Sequence, residues 1–90
     1  MIRSFKSKET EKIFSRQKSA LLSEEMQRLA LRELRVLDQS LVAKESWVPA
    51  NGNGTHGDGR RYIIPFSDQW RIAFEWRDGH AYDVDIVGET

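Results

Sequence analysis

From Ser23 onward, Met26, Leu29, Ala30, Leu34, Leu37 and Leu41 recur at three- and four-residue steps, which lays one apolar stripe along a helix. Ser23 is placed to cap that helix. Glu24 and Glu25 fill its first turn, where the helix dipole favours negative charge. Upstream, Ser7 is placed to cap a shorter helix running from Lys8 to about Gln17, with Ile13 and Phe14 as its only large apolar residues. Ahead of it, Ile2 and Phe5 stand among Arg3, Ser4 and Lys6. That imperfect alternation predicts a short strand.

Past the second helix the pattern breaks. Val42 to Gly59 includes WVPANGNGTHGDG, with four glycines, two asparagines and a proline, and its composition predicts a loop. Arg61 to Phe66, RYIIPF, then places Tyr62, Ile64 and Phe66 on one face of a strand. Pro65 cannot donate to a ladder, so an edge or a bulge is expected there. The strongest alternation follows in SDQWRIAFEWRDGHAYDVDIV. Trp70, Ile72, Phe74 and Trp76 share one face with Tyr82, Val84 and Ile86 if the turn is the three-residue loop Arg77-Asp78-Gly79. That register sets Phe74 opposite Tyr82, Arg71 opposite Asp85 and Ala73 opposite Asp83. A two-residue turn would pair Arg77 with His80 and Glu75 with Tyr82, mixing the faces. The loop Ser67-Asp68-Gln69 likewise pairs Phe66 with Trp70 and Pro65 with Arg71. The expected architecture is α+β: two N-terminal helices on the apolar face of a mainly antiparallel sheet, in the order β-α-α-β-β-β.

Ninety residues make a single domain, residues 1–90. No apolar run approaches the roughly 20 residues of a membrane span, and MIRSFKSKE has no apolar core of the kind a signal peptide carries, so a cytoplasmic chain is expected. The absence of cysteine excludes disulfides, thiol nucleophiles and thiolate metal sites. Fourteen basic residues balance fourteen acidic ones, which argues against a free-standing nucleic-acid binder. The charge is unevenly spread, however. Met1 to Lys18 carries six basic and two acidic residues, and Asp68 to Thr90 carries two basic and six acidic ones.

The two histidines and the carboxylates lack metal-ligand spacing, so no metal or cofactor is expected. The serines have no nucleophile-elbow context. NGNGTHGDG precedes no helix and lacks the phosphate-loop lysine. Arg28, Arg32 and Arg35 read as a solvated helix face. Arg71 admits two readings: an exposed cross-strand ion pair with Asp85, worth little, or a guanidinium that holds an RNA phosphate and stabilises charge in phosphoryl transfer. Arg60 and Arg61 share that ambiguity. His56 is either a solvent histidine or a proton carrier, its ordinary pKa being near neutrality.

The opening MIRSFK, the helix ending LRVLDQS and above all SDQWRIAFEWRDGHAYDVDIV resemble the HigB-type toxins of the RelE/ParE superfamily. The resemblance covers both ends of the chain and excludes roughly Val42 to Pro65. It implies the toxin of a bacterial toxin–antitoxin pair, an endoribonuclease that cleaves mRNA in the ribosomal A site by 2′-hydroxyl attack without metal. It further implies a helix-turn-helix, HigA-like antitoxin as partner, with operator DNA bound only through that antitoxin. Carried onto this chain, the implied catalytic residues are Arg71, His56, Arg60 and Arg61, with Arg77 joining Arg60, Arg61 and Arg71 in RNA binding. The chain departs from the family at three places. Pro65 stands where many members have a basic residue, Asn53 and His56 stand at the loop histidine and lysine, and Gly88-Glu89-Thr90 replaces a terminal Asp-Tyr-His. Those departures keep a second expectation open: a toxin-fold interaction module that binds an antitoxin or inhibits another target.

Overall fold

A computed structural model gives the fold and describes residues 1–53 and 59–88. Two helices, α1 (Lys8–Phe14) and α2 (Glu24–Gln39), precede four strands: β1 (Val48–Asn53), β2 (Arg60–Pro65), β3 (Trp70–Arg77) and β4 (His80–Gly88). The strands form one antiparallel sheet in the order β1-β2-β3-β4. The α+β class and the predicted helices therefore hold, with two corrections to the expected strands and one to the helix ends. Met1 to Lys6 makes only two isolated bridges to β4, both parallel, at Ile2–Ala81 and Phe5–Val84. A strand, β1, runs through the segment expected to be a loop. Both helices also stop early. α1 ends at Phe14, with Arg16 left-handed at φ 64°. α2 ends at Gln39, where the Ser40 hydroxyl donates to the Val36 carbonyl at 2.7 Å and Leu41 is left 83% exposed.

The N-caps are as the sequence implies. Ser7 accepts from the Thr10 amide and Ser23 from the Met26 amide, each relieving one of the unpaired donors of a helix start. Ala30, Leu34 and Leu37 of α2 and Ile13 of α1 are buried against Ile64, Ile72, Phe74, Ala81, Val84 and Ile86 of the sheet. Trp47, from the segment expected to be a loop, is buried as well. It meets Tyr62, Phe74 and Trp76 edge-on, with ring centroids 5.0–5.7 Å apart, the tilted arrangement that aromatic quadrupoles favour.

The β2–β3 register is as expected, with Pro65 opposite Arg71 and the Phe66 amide donating to the Trp70 carbonyl. β2 is an internal strand, but its pairing with β1 extends no further than Ile63. Pro65 thus lies where β2 has a neighbour on one side only, and its missing donor is tolerated. The β3–β4 register corrects the expectation. The turn is the two-residue Asp78-Gly79, both at positive φ (52° and 78°), and it pairs Arg77 with His80 and Glu75 with Tyr82. Beyond Glu75 the register shifts, so that Phe74 faces both Asp83 and Val84, and Ala73 then pairs with Asp85 and Ile72 with Ile86. Asp83, at φ 52°, is the inserted residue of this bulge. Ala81, Val84 and Ile86 are thereby all turned toward the core. The face-mixing that weighed against a two-residue turn is cancelled by one extra residue.

The bulge also accounts for the imperfect pattern at the N-terminus. Ile2 and Phe5 are three residues apart, as are their partners Ala81 and Val84, so both apolar side chains reach the core. Along this edge the Met1 carbonyl accepts from Ala81, the Ala81 carbonyl accepts from Arg3, and the Val84 amide and carbonyl exchange bonds with Ser4 and Lys6. The Asp83 amide, displaced by the bulge, donates to the Ser4 hydroxyl at 2.8 Å. The next edge amide, Ile86, donates to the hydroxyl of fully buried Thr10 at 3.0 Å, and that hydroxyl donates to the Asp85 carboxylate at 3.3 Å. Removing this acceptor strands a buried amide. Thr10→Val, nearly the same shape, should destabilise the fold by about 1–3 kcal/mol, read as a lower urea midpoint with an unchanged slope.

Candidate functional site

Strand alternation divides the side chains of β3 cleanly. Trp70, Ile72, Phe74 and Trp76 point to the helices and Trp47, while Arg71, Ala73, Glu75 and Arg77 point to the other face. At the hairpin end that outer face gathers several chemically able groups. Glu75 lies between Arg61 of β2 and Tyr82 of β4 in adjacent cross-strand positions. Its side chain is 0% exposed, and a Cβ on Gly59 would collide with its carboxylate, so the glycine lets the backbone close over it. Arg77, two residues along, places Nε 3.8 Å from Glu75 Oε2 and stacks its guanidinium 4.3 Å from the centre of the Tyr82 ring. His80 lies opposite Arg77. Arg3, from the segment that lines β4, donates from Nη2 to His80 Nε2 at 3.3 Å.

The electrostatics at His80 are one-sided. Burial, the Arg3 guanidinium and the N-terminal ammonium, in that order, hold its imidazole below the ordinary value of 6.5, and Asp78 opposes them. Arg3 can only donate. The contact therefore requires a neutral ring with Nε2 as acceptor and the proton on Nδ1, an atom that is buried and has no hydrogen-bond partner among the described residues.

The expected site residues are only partly assembled. Arg61 and Arg77 belong to this cluster. Arg60 is exposed and sits opposite Trp76, hence on the helix-facing side of the sheet edge. Arg71 is half-buried on the outer face between Pro65 and Val87, four strand positions from Glu75, or about 13 Å. Its expected pairing with Asp85 is replaced: Asp85 sits opposite Ala73 and is bonded to Thr10. His56 lies outside the described residues. Sequence reasoning missed Arg3, Glu75, His80 and Tyr82. The signal was present in the two-residue reading of Asp78-Gly79, which aligns 75 with 82 and 77 with 80.

In comparisons with known proteins, no family model matches the chain and no curated protein shows significant similarity to it.

The lowered pKa of His80 carries a sign for stability. The unfolded chain binds a proton near pH 6.5 that the folded chain takes up only at lower pH. The stabilising difference is therefore fully present above about pH 6.5 and is lost as pH falls through the folded value. Thermal midpoints measured between neutral and mildly acidic pH should fall further for the wild-type chain than for His80→Gln.

Proposed function

We propose that the outer face of the sheet binds RNA and that the protein is a RelE-like, HigB-type toxin, a ribosome-dependent endoribonuclease of the cytoplasm held in check by a helix-turn-helix antitoxin. The observation that carries this reading is the convergence of Arg3, Arg61 and Arg77 with Tyr82 and His80 on one sheet face. Guanidinium groups hold phosphates in a fixed fork, the Tyr82 ring holds the Arg77 guanidinium in place, and an imidazole moves protons near neutrality. Two N-terminal helices followed by an antiparallel sheet are compatible with the fold that the sequence resemblance implies, although the sheet has four strands where three were expected after the helices. No described helix is long and apolar enough to cross a membrane.

A balanced net charge suits a nuclease whose substrate arrives on the ribosome, because the larger particle contributes much of the binding surface. In the proposed reaction the RNA 2′-hydroxyl attacks the adjacent phosphate, and the arginines stabilise the charge that develops on its oxygens. The placement of Arg71, about 13 Å along the strand from Glu75, favours the second reading, in which a toxin-shaped surface binds an antitoxin or another target without cleaving RNA.

Cleavage mapped by primer extension on programmed ribosomes separates the two. The wild-type chain should cut within A-site codons, and Arg77→Ala should cut about 10²–10³-fold more slowly with its far-UV circular dichroism unchanged. Arg71→Ala should lose less, as expected of a residue that grips RNA away from the scissile bond. A folded wild-type chain that leaves the message intact would reject the nuclease reading in favour of the binding one.

A further inference from the structure

We propose that Arg3 and His80 form a phosphate-exchanged acid–base pair: an RNA phosphodiester draws the Arg3 guanidinium away from His80 Nε2, and the released Nε2 is the base that takes the 2′-hydroxyl proton. The base role rests on the nuclease reading above; the exchange does not.

Three observations meet here. Arg3 Nη2 and His80 Nε2 are 3.3 Å apart, so the guanidinium occupies the ring's acceptor lone pair. Arg3 is exposed on an extended segment, whereas His80 is half-buried on the first residue of β4. A guanidinium–imidazole contact joins a charged donor to a neutral acceptor. A phosphodiester is a stronger partner for the same guanidinium, since both partners are then charged and can bond through two parallel N–H···O contacts. The surroundings favour an anion at this point. Arg3 and the Met1 ammonium approach from the N-terminal segment and Arg77 from β3, against Asp78 from the turn and the buried Glu75 carboxylate beside Arg77, leaving a positive excess around the ring. Arg77 is already oriented by its stack on Tyr82.

Occupation of the pair by phosphate changes the ring in two ways. It frees Nε2, and it replaces a neighbouring positive charge with a negative one, so the proton affinity of His80 rises when substrate binds. A base held neutral until that moment does not need deprotonating first. In the chemical step the 2′-hydroxyl proton passes to Nε2, the bond from the 2′-oxygen to phosphorus forms and the bond from phosphorus to the 5′-oxygen breaks. The leaving 5′-oxygen takes a proton from water, and the imidazolium returns its own to the hydroxide so formed. The products are a 2′,3′-cyclic phosphate and a 5′-hydroxyl.

The test follows the imidazole directly. Nitrogen-15 NMR of the full chain, with resonances assigned against His80→Gln, would track the titration of His80 alone and with a 2′-O-methylated RNA oligonucleotide, which binds without being cut. The titration should move upward in the presence of RNA. It should move upward in Arg3→Ala without RNA, and RNA should then add little. An equal response to RNA in both chains, or no response in the wild-type chain, overturns the exchange. The base role is read separately on programmed ribosomes, where His80→Gln should cut about 10²–10⁴-fold more slowly and lose the acid limb of the pH–rate profile. Unchanged cutting by that variant would remove the base role and leave the nuclease reading standing. A wild-type chain that responds to RNA in the spectrum but never cuts would reject the nuclease reading and leave the phosphate exchange intact.

Discussion

The single inserted residue at Asp83 is the constraint on which the sheet depends. Asp78-Gly79 closes the hairpin in two residues because both can occupy the left-handed region, and that turn twists the strands the way a sheet prefers. Left uncorrected, the turn would carry Val84 and Ile86 out of phase with the core. The bulge shifts the phase after Tyr82, and Val84 and Ile86 then join Ala81 against Phe74 and Ile72. The turn itself puts Tyr82 and His80 on the outside beside Glu75 and Arg77. Turn and bulge together therefore build the outer cluster and complete the core.

A bulge disrupts pairing, and an edge strand with a disrupted ladder invites other chains to pair with it. Here the N-terminal segment follows β4 closely enough to absorb the irregularity. Ser4 takes the displaced Asp83 amide through its side chain, and Thr10 takes the amide of Ile86 after the segment has turned into α1. Arg3 is held beside His80 by this same lining. The segment is thus both the cover of an edge and the carrier of a guanidinium. Glu75, buried within the face, keeps a carboxylate beside Arg77 and so limits the net positive charge that the arginines bring together.

The helices were legible in the sequence because caps and apolar spacing act over a few residues, and Ser7, Ser23, Ala30, Leu34 and Leu37 behave as their spacing implies. The β2–β3 register was legible for a similar reason, its apolar positions being in phase on both sides of Ser67-Asp68-Gln69. The site was only half legible. Arg61 and Arg77 stood out as charges on strand positions, but their partners Tyr82 and His80 were assigned to other neighbours by a register one residue out of step. Arg3 could not be read as a partner of His80, since 77 positions separate them and no local pattern reports a contact of that range.

By itself the sequence determined two capped helices, an aromatic meander and an α+β class, all consequences of hydrogen bonding and apolar periodicity within short windows. Tertiary structure decided the rest. The segment from Val48 to Asn53 is poor in strand-forming residues, yet it is a strand, since β2 offers it a ladder and Trp47 fixes its start by burying among Tyr62, Phe74 and Trp76. The bulge at Asp83 carries no local signature, because aspartate also takes positive φ in turns, as Asp78 does, so residue type alone does not mark where the extra residue falls. Leu41 continues the helical stripe in sequence but is exposed, as the chain must leave α2 at Ser40 to reach that ladder. Which arginines meet, and against which ring, follows from those long-range choices, and so the chemistry of the outer face belongs to the fold rather than to any stretch of the chain.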